Sequence, residues 1–116
     1  MSAKYTLRMI QGDKFRRVIQ WKSNDVVVPV AGLKAIFCVK YRTPDGETAL
    51  LLTTENGGIS LDTVNNKFIV EADSDQTDLI LKDDLIYSFK VIDSDSNDHT
   101  LFYGNIKFIE DNAKGY

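Results

Sequence analysis

Period-two alternation of apolar and polar side chains runs through most of this 116-residue chain. It is clearest from Asp83 to Val91. Leu85, Tyr87, Phe89 and Val91 take one face there, and Ser88 and Lys90 the other. That is the pattern of a strand buried on one side, as in an antiparallel sheet. The same alternation places Tyr5, Leu7 and Met9 on a first strand running from Lys4. It puts Phe15, Arg17, Ile19 and Trp21 on one face of a second, and Ala35, Phe37, Val39 and Tyr41 on one face of a third. Further strands are expected at Ala49–Thr53, Ile59–Leu61, Lys67–Glu71 and His99–Ile109.

Turn chemistry separates these runs: Gln11-Gly12-Asp13, Ser23-Asn24-Asp25, Thr43-Pro44-Asp45-Gly46, Glu55-Asn56-Gly57-Gly58 and Asp93 to Asp98. Only the segment around 74–81 has helical character, with Ser74 as its cap and Leu79 and Leu81 closing it onto the core. Gly104 interrupts the last strand, which suggests a bulge or a ring lying over the backbone. Short strands at regular spacing, with no long helical period, predict an all-β sandwich or barrel. Tyr87 follows Asp83 by four positions, as in the tyrosine corner of immunoglobulin-like sandwiches, and an acid before it would cap that corner. The expected fold is a single antiparallel, immunoglobulin-like β-sandwich over residues 1–116, its core spanning about 4–110 with a short polar tail. Its core comprises Phe15, Ile19, Trp21, Phe37, Val39, Tyr87, Phe89, Val91, Phe102, Ile106 and Phe108.

Charge is divided unevenly. Residues 1–42 hold nine Lys or Arg against two Asp, and the rest hold five Lys against fifteen acids. Either the two ends lie side by side and neutralise each other, or the surface is two-signed and stacks on copies of itself or on a partner. Arg8, Arg16, Arg17, Asp75 and Asp78 are the candidate partner surface. Arg17 shares a face with Phe15, Ile19 and Trp21, so either its stem is buried at the sandwich edge or that face meets a partner. The acidic balance and the alternation of basic with apolar residues argue against nucleic acid. No apolar run is long enough to span a bilayer as a helix, and MSAKYTLRMI has no apolar stretch of signal-peptide length, so folding in a cytoplasm is expected. The single Cys38 allows no internal disulfide.

No residue set converges on a reaction. Asp93-Ser94-Asp95-Ser96-Asn97-Asp98 begins like a calcium loop, but its sixth position is Asp98 and its twelfth Gly104, so a polar hairpin tip is expected. His99 is the only histidine and lacks the second ligand or nucleophile that zinc binding or catalysis needs. Asp83 and Asp84, adjacent on a strand, point to opposite faces and form no acid–base pair. Gly57-Gly58 precedes a strand, so it offers no helix dipole to a phosphate. No enzyme activity, cofactor or metal is expected.

Five elements, in order along residues 5–109, resemble the immunoglobulin-like N-terminal domain of phage baseplate upper proteins. Gly12-Asp13-Lys14-Phe15 is similar to its opening G-D-x-F, and Val30-Ala31-Gly32-Leu33-Lys34-Ala35 to its L-T-G-A element. Leu52-Thr53-Thr54-Glu55-Asn56-Gly57-Gly58-Ile59 is similar to T-x-x-N-G-x-I, Asp83–Val91 to G-x-Y-x-Y-D-L-x-V, and Leu101–Ile106 to L-x-x-G-x-V. Asp84, Leu85 and Ser88 depart from that pattern. The resemblance implies a virion structural role in the tail, baseplate or collar, with other virion proteins and copies of the chain itself as partners, assembled in an oligomer. Baseplate upper proteins continue into further domains whereas this sequence runs to Tyr116, so a stand-alone adaptor or decoration protein is the expectation. The alternative is a soluble binding module in the host, either an inhibitor or a carbohydrate-binding sandwich.

Overall fold

The computed structural model describes residues 3–42, 46–80 and 84–109. Tyr87 and its alternating neighbours form the central strand of the larger of two main sheets. That sheet contains β1 (Ala3–Lys4), β2 (Leu7–Ile10), β6 (Lys34–Tyr41), β7 (Thr48–Thr53), β10 (Asp84–Ile92) and β11 (Asp98–Ile109). β10 pairs antiparallel with β6 and β11, β7 pairs antiparallel with β6, and β1 and β2 run parallel to β11. The smaller sheet has the order β3 (Phe15–Ile19), β9 (Lys67–Ala72), β8 (Ile59–Asp62). A hairpin of β4 (Lys22–Ser23) and β5 (Val26–Val27) stands apart. Its two-residue loop, Asn24-Asp25, has positive φ at both positions, the requirement of a type I′ turn.

β6, β10 and β11 with β7 beside them on one sheet, facing β3, β9 and β8 on the other, is the strand arrangement of an immunoglobulin-like sandwich. The alternation in sequence is the alternation in burial. Phe15, Phe37, Val39, Tyr87, Phe89, Val91, Ile106 and Phe108 are buried, whereas Ile19, Trp21 and Phe102 are only partly buried, at the core's margin. Trp21 lies beyond the end of β3, its ring 5.2 Å from that of His99. Aromatic pairs join the sheets: Phe15 stacks on Phe37 at 5.7 Å, and Phe68 meets Phe89 edge-on at 5.5 Å.

The first expected strand is split into β1 and β2. Both keep the same register on β11, and the gap at Tyr5-Thr6 falls opposite Gly104. Gly104 has φ +155°, and a Cβ there would stand 2.1 Å from the Tyr5 carbonyl oxygen. The glycine is therefore a close backbone approach. The bulge in β11 lies elsewhere, at Leu101, where the register skips between Phe102 and Thr100. The tyrosine corner is also different. The Tyr87 hydroxyl donates to the Tyr5 carbonyl at 3.0 Å, tying the central strand to the first segment rather than to its own loop. Asp84 lies on β10 with its carboxylate 2.9 Å from Arg42 Nε, and Asp83 is outside the described residues.

The helical turn is α1 (Ser74–Asp78), with Asp73, not Ser74, at its N-cap. The Gln76 carboxamide oxygen accepts the Asp73 N–H at 2.9 Å, as in a capping box. Leu79 is 73% exposed and Ile80 is buried, because the helix stops at Asp78 and the next residue but one turns inward. The expected contribution of Leu81 lies outside the described residues. Thr77 is fully buried, and its hydroxyl lies 2.8 Å from the Asp13 carbonyl, pinning α1 to the β2–β3 corner.

Candidate protein-binding face

The outer face of the larger sheet follows from its register. Cross-strand rows place Tyr103, Ser88, Cys38 and Leu51 side by side, with Lys4 next to Tyr103. The row on one side carries Asn105, Ile86 and Lys40; the row on the other carries Thr100, Lys90, Ile36 and Thr53. Beyond lies Arg8, Lys107 and Asp84. At about 4.8 Å per strand and 3.3 Å per residue this patch measures roughly 20 by 20 Å.

Its centre is apolar. Leu51 is 46% and Tyr103 44% exposed, and Ile36, Cys38 and Ile86 are partly open. Its surround is basic. Lys4, Arg8, Lys40, Lys90 and Lys107 have no ion pair among the described residues, whereas Arg42 is bound to Asp84 and to the Asn105 side chain. Apolar side chains exposed beside unpaired cations are a surface that gains from being covered by a partner of opposite charge.

Three further bases are paired within the domain. Lys14 and Arg16 both reach Glu71, and Lys34 reaches Glu55, so bases of the first 42 residues find acids from the later part of the chain. The Lys14 ammonium, followed by Arg16, holds the Glu71 carboxyl below its ordinary range. Asp62 is lowered by the Asn65 side chain and backbone, and Asp93 by His99.

The five residues singled out as a partner surface do not come together. Arg8 is on the outer face of the larger sheet, and Arg16 is on that of the smaller one, against Glu71. Arg17 turns inward: its guanidinium lies 4.6 Å from the Phe15 ring centre and donates to the Arg8 and Arg16 carbonyls. Asp75 and Asp78 belong to α1. Sequence reasoning missed the face itself, although its signal was present in the polar half of each alternating strand, where Lys4, Lys40, Lys90 and Lys107 recur.

The calcium-like loop is a hairpin tip. Asp93 Oδ1 accepts the N–H groups of Asp95 and Asn97, and Oδ2 lies 2.9 Å from His99 Nε2. Cys38 and His99 sit on opposite faces of the sheet, since Cys38 is in register with Ser88 and His99 with the buried Val91. Among the described residues there is no group of three His, Cys, Asp or Glu that could hold a metal, and no helix long and apolar enough to cross a membrane. A polar hollow of about 420 Å³ lies between the β7–β8 turn and α1, lined by Asn56, Ser60, Glu71 and Gln76 among others.

No protein-family model and no curated protein matches the chain. Among solved structures it is similar to one of the ZIG-8–RIG-5 IG1–IG1 heterodimer, at 12% identity and TM-score 0.46, covering 93% of this chain and 84% of the other. It is also similar to parallel homodimer structures of the extracellular domains of the voltage-gated sodium channel beta4 subunit, at 13% identity and TM-score 0.46, covering 96% and 95%.

Proposed function

We propose that this chain is a non-enzymatic protein-binding module, and that it docks through the outer face of its larger sheet. The observation that carries this is the apolar cluster of Ile86, Cys38, Leu51 and Tyr103 beside five cations that have no ion pair among the described residues. A copy of the same face would bring those cations together, so the partner presents acidic groups around an apolar centre. The ordered resemblance of residues 5–109 to phage baseplate upper proteins supports a virion setting. In that reading the module is an adaptor or decoration of tail, baseplate or collar, made in the bacterial cytoplasm and assembled in several copies with other virion proteins. Mass spectrometry of purified particles tests the setting: the chain is expected in stoichiometric amounts, and its absence from intact particles rules the virion reading out.

A further inference from the structure

A seam runs between β2 and β3. In the smaller sheet β3 is bonded only to β9, because the first strand has gone to β11; among the described residues no strand covers the other edge of β3. Alternate backbone N–H and C=O groups on that edge therefore lack a ladder partner. Three hollows of about 290, 200 and 280 Å³ follow one another beside β3, from Lys14 to Lys22. They share walls: Arg17 borders the first two, and Ile19 and Phe102 the second and third. The floor of the middle one reaches Phe37 and Val70 of the core, and its lining is almost wholly apolar. Arg17 and Lys22 stand along the groove, with Lys14 at its end paired to Glu71 and Asp13 beside it.

We propose that this groove accepts an extended segment of a partner protein, added as a strand along the open edge of β3. Backbone hydrogen bonds to β3 would hold it. Alternate apolar side chains would enter the hollows between Leu7, Ile19 and Phe102, and acidic side chains in the other positions would meet the flanking cations. Residues 15–22 span about 26 Å when extended, which matches an octapeptide. Arg17 occupies the centre of the seam, donating to carbonyls on both sides of it. On binding, its guanidinium exchanges those carbonyls for a carboxylate of the incoming strand, a charge-assisted and bidentate contact.

The site is separate from the outer sheet face and does not depend on it. The probe is a fluorescein-labelled octapeptide alternating Glu and Val, read by anisotropy on the whole chain, with backbone amide shifts mapping where it sits. The peptide is expected to bind with shifts confined to β2 and β3. N-methylating every second peptide bond should weaken it at least tenfold, as should Ile19→Asp. Arg17→Ala should erase its preference over a Lys/Val peptide. Lys40→Glu with Lys107→Glu should leave it unchanged. Failure to bind at about 1 mM, shifts on the outer sheet face, insensitivity to N-methylation, or equal binding of the Lys/Val peptide each overturns the proposal. N-methylation changes only the peptide, so the test stands even where Ile19→Asp does not fold.

Discussion

Replacing Gly104 by alanine is expected to cost about 3–5 kcal/mol, far more than a mid-strand Gly→Ala exchange would suggest. Three effects add. The backbone at φ +155° is a region that L residues avoid, worth about 1–3 kcal/mol. The new methyl would lie 2.1 Å from the Tyr5 oxygen, so the first segment must move off β11. That movement breaks the 3.0 Å bond from Tyr5 N–H to the Tyr103 carbonyl and the 3.0 Å bond from the Tyr87 hydroxyl to Tyr5. Each is worth about 0.5–1.5 kcal/mol net, and the Tyr87 hydroxyl is left without a partner. For a chain of this size the loss lowers the melting temperature by roughly 10–25 °C. Thermal unfolding by circular dichroism measures it, and a cycle with Tyr87→Phe assigns the cause. Tyr87→Phe should cost about 1 kcal/mol in the parent and almost nothing beside Gly104→Ala, whose contact is already gone. A melting temperature within about 3 °C of the parent, or fully additive substitutions, refutes the account of how the first segment is held.

Phe89→Ala should cost about 3–5 kcal/mol in urea unfolding, since the ring is fully buried against Phe68 of the opposite sheet. Thr77→Val removes the hydroxyl bonded to the Asp13 carbonyl; a loss of about 1–2 kcal/mol is expected, with Thr77→Ser retaining part of it. Asp62, Glu71 and Asp93 have carboxyls held below their ordinary values. Their contribution is complete above the ordinary carboxylate range and is lost as the pH falls through their lowered folded values, so the urea midpoint should fall below about pH 4. Asp93→Asn should flatten that dependence. Burial, followed by the neighbouring Tyr5, raises Tyr87 to about 12. Its contribution is present below pH 10 and lost between about 10 and 12, so Tyr87→Phe should make alkaline unfolding less steep.

The strands were legible because burial on one side imposes period two, and Phe37, Val39, Tyr87, Phe89 and Val91 obey it without exception. The motifs behind the family resemblance are explained by the fold. Asn56 accepts the N–H groups of Thr53 and Gly58 and donates to the Leu51 carbonyl, organising the β7–β8 turn. Asp13 offers its carbonyl to Thr77, and Gly104 lets Tyr5 pass. Partners far apart in sequence were what the chain could not reveal by itself. Nothing local says that Gly104 meets Tyr5, that the Tyr87 hydroxyl travels to the first segment, or that Ile80 rather than Leu79 turns inward. The binding face was hidden for the same reason: its cations are single polar positions on separate strands, adjacent only once the register is known. Arg17 is the instructive case. Its place among apolar residues signalled something unusual, and the structure resolves this into a guanidinium bridging the seam above the Phe15 ring.

The most direct test of the proposed docking face, in the proposed virion setting, is site-specific photo-cross-linking during particle assembly, with a benzophenone side chain at Tyr103 on the outer face of the larger sheet or at Ile69 on that of the smaller. The account predicts a discrete adduct from Tyr103, identified by mass spectrometry as a neighbouring virion protein and lost when Lys40 and Lys107 are changed to Glu. It predicts none from Ile69. No adduct from Tyr103 in assembled particles, or an equal yield from Ile69, would contradict it.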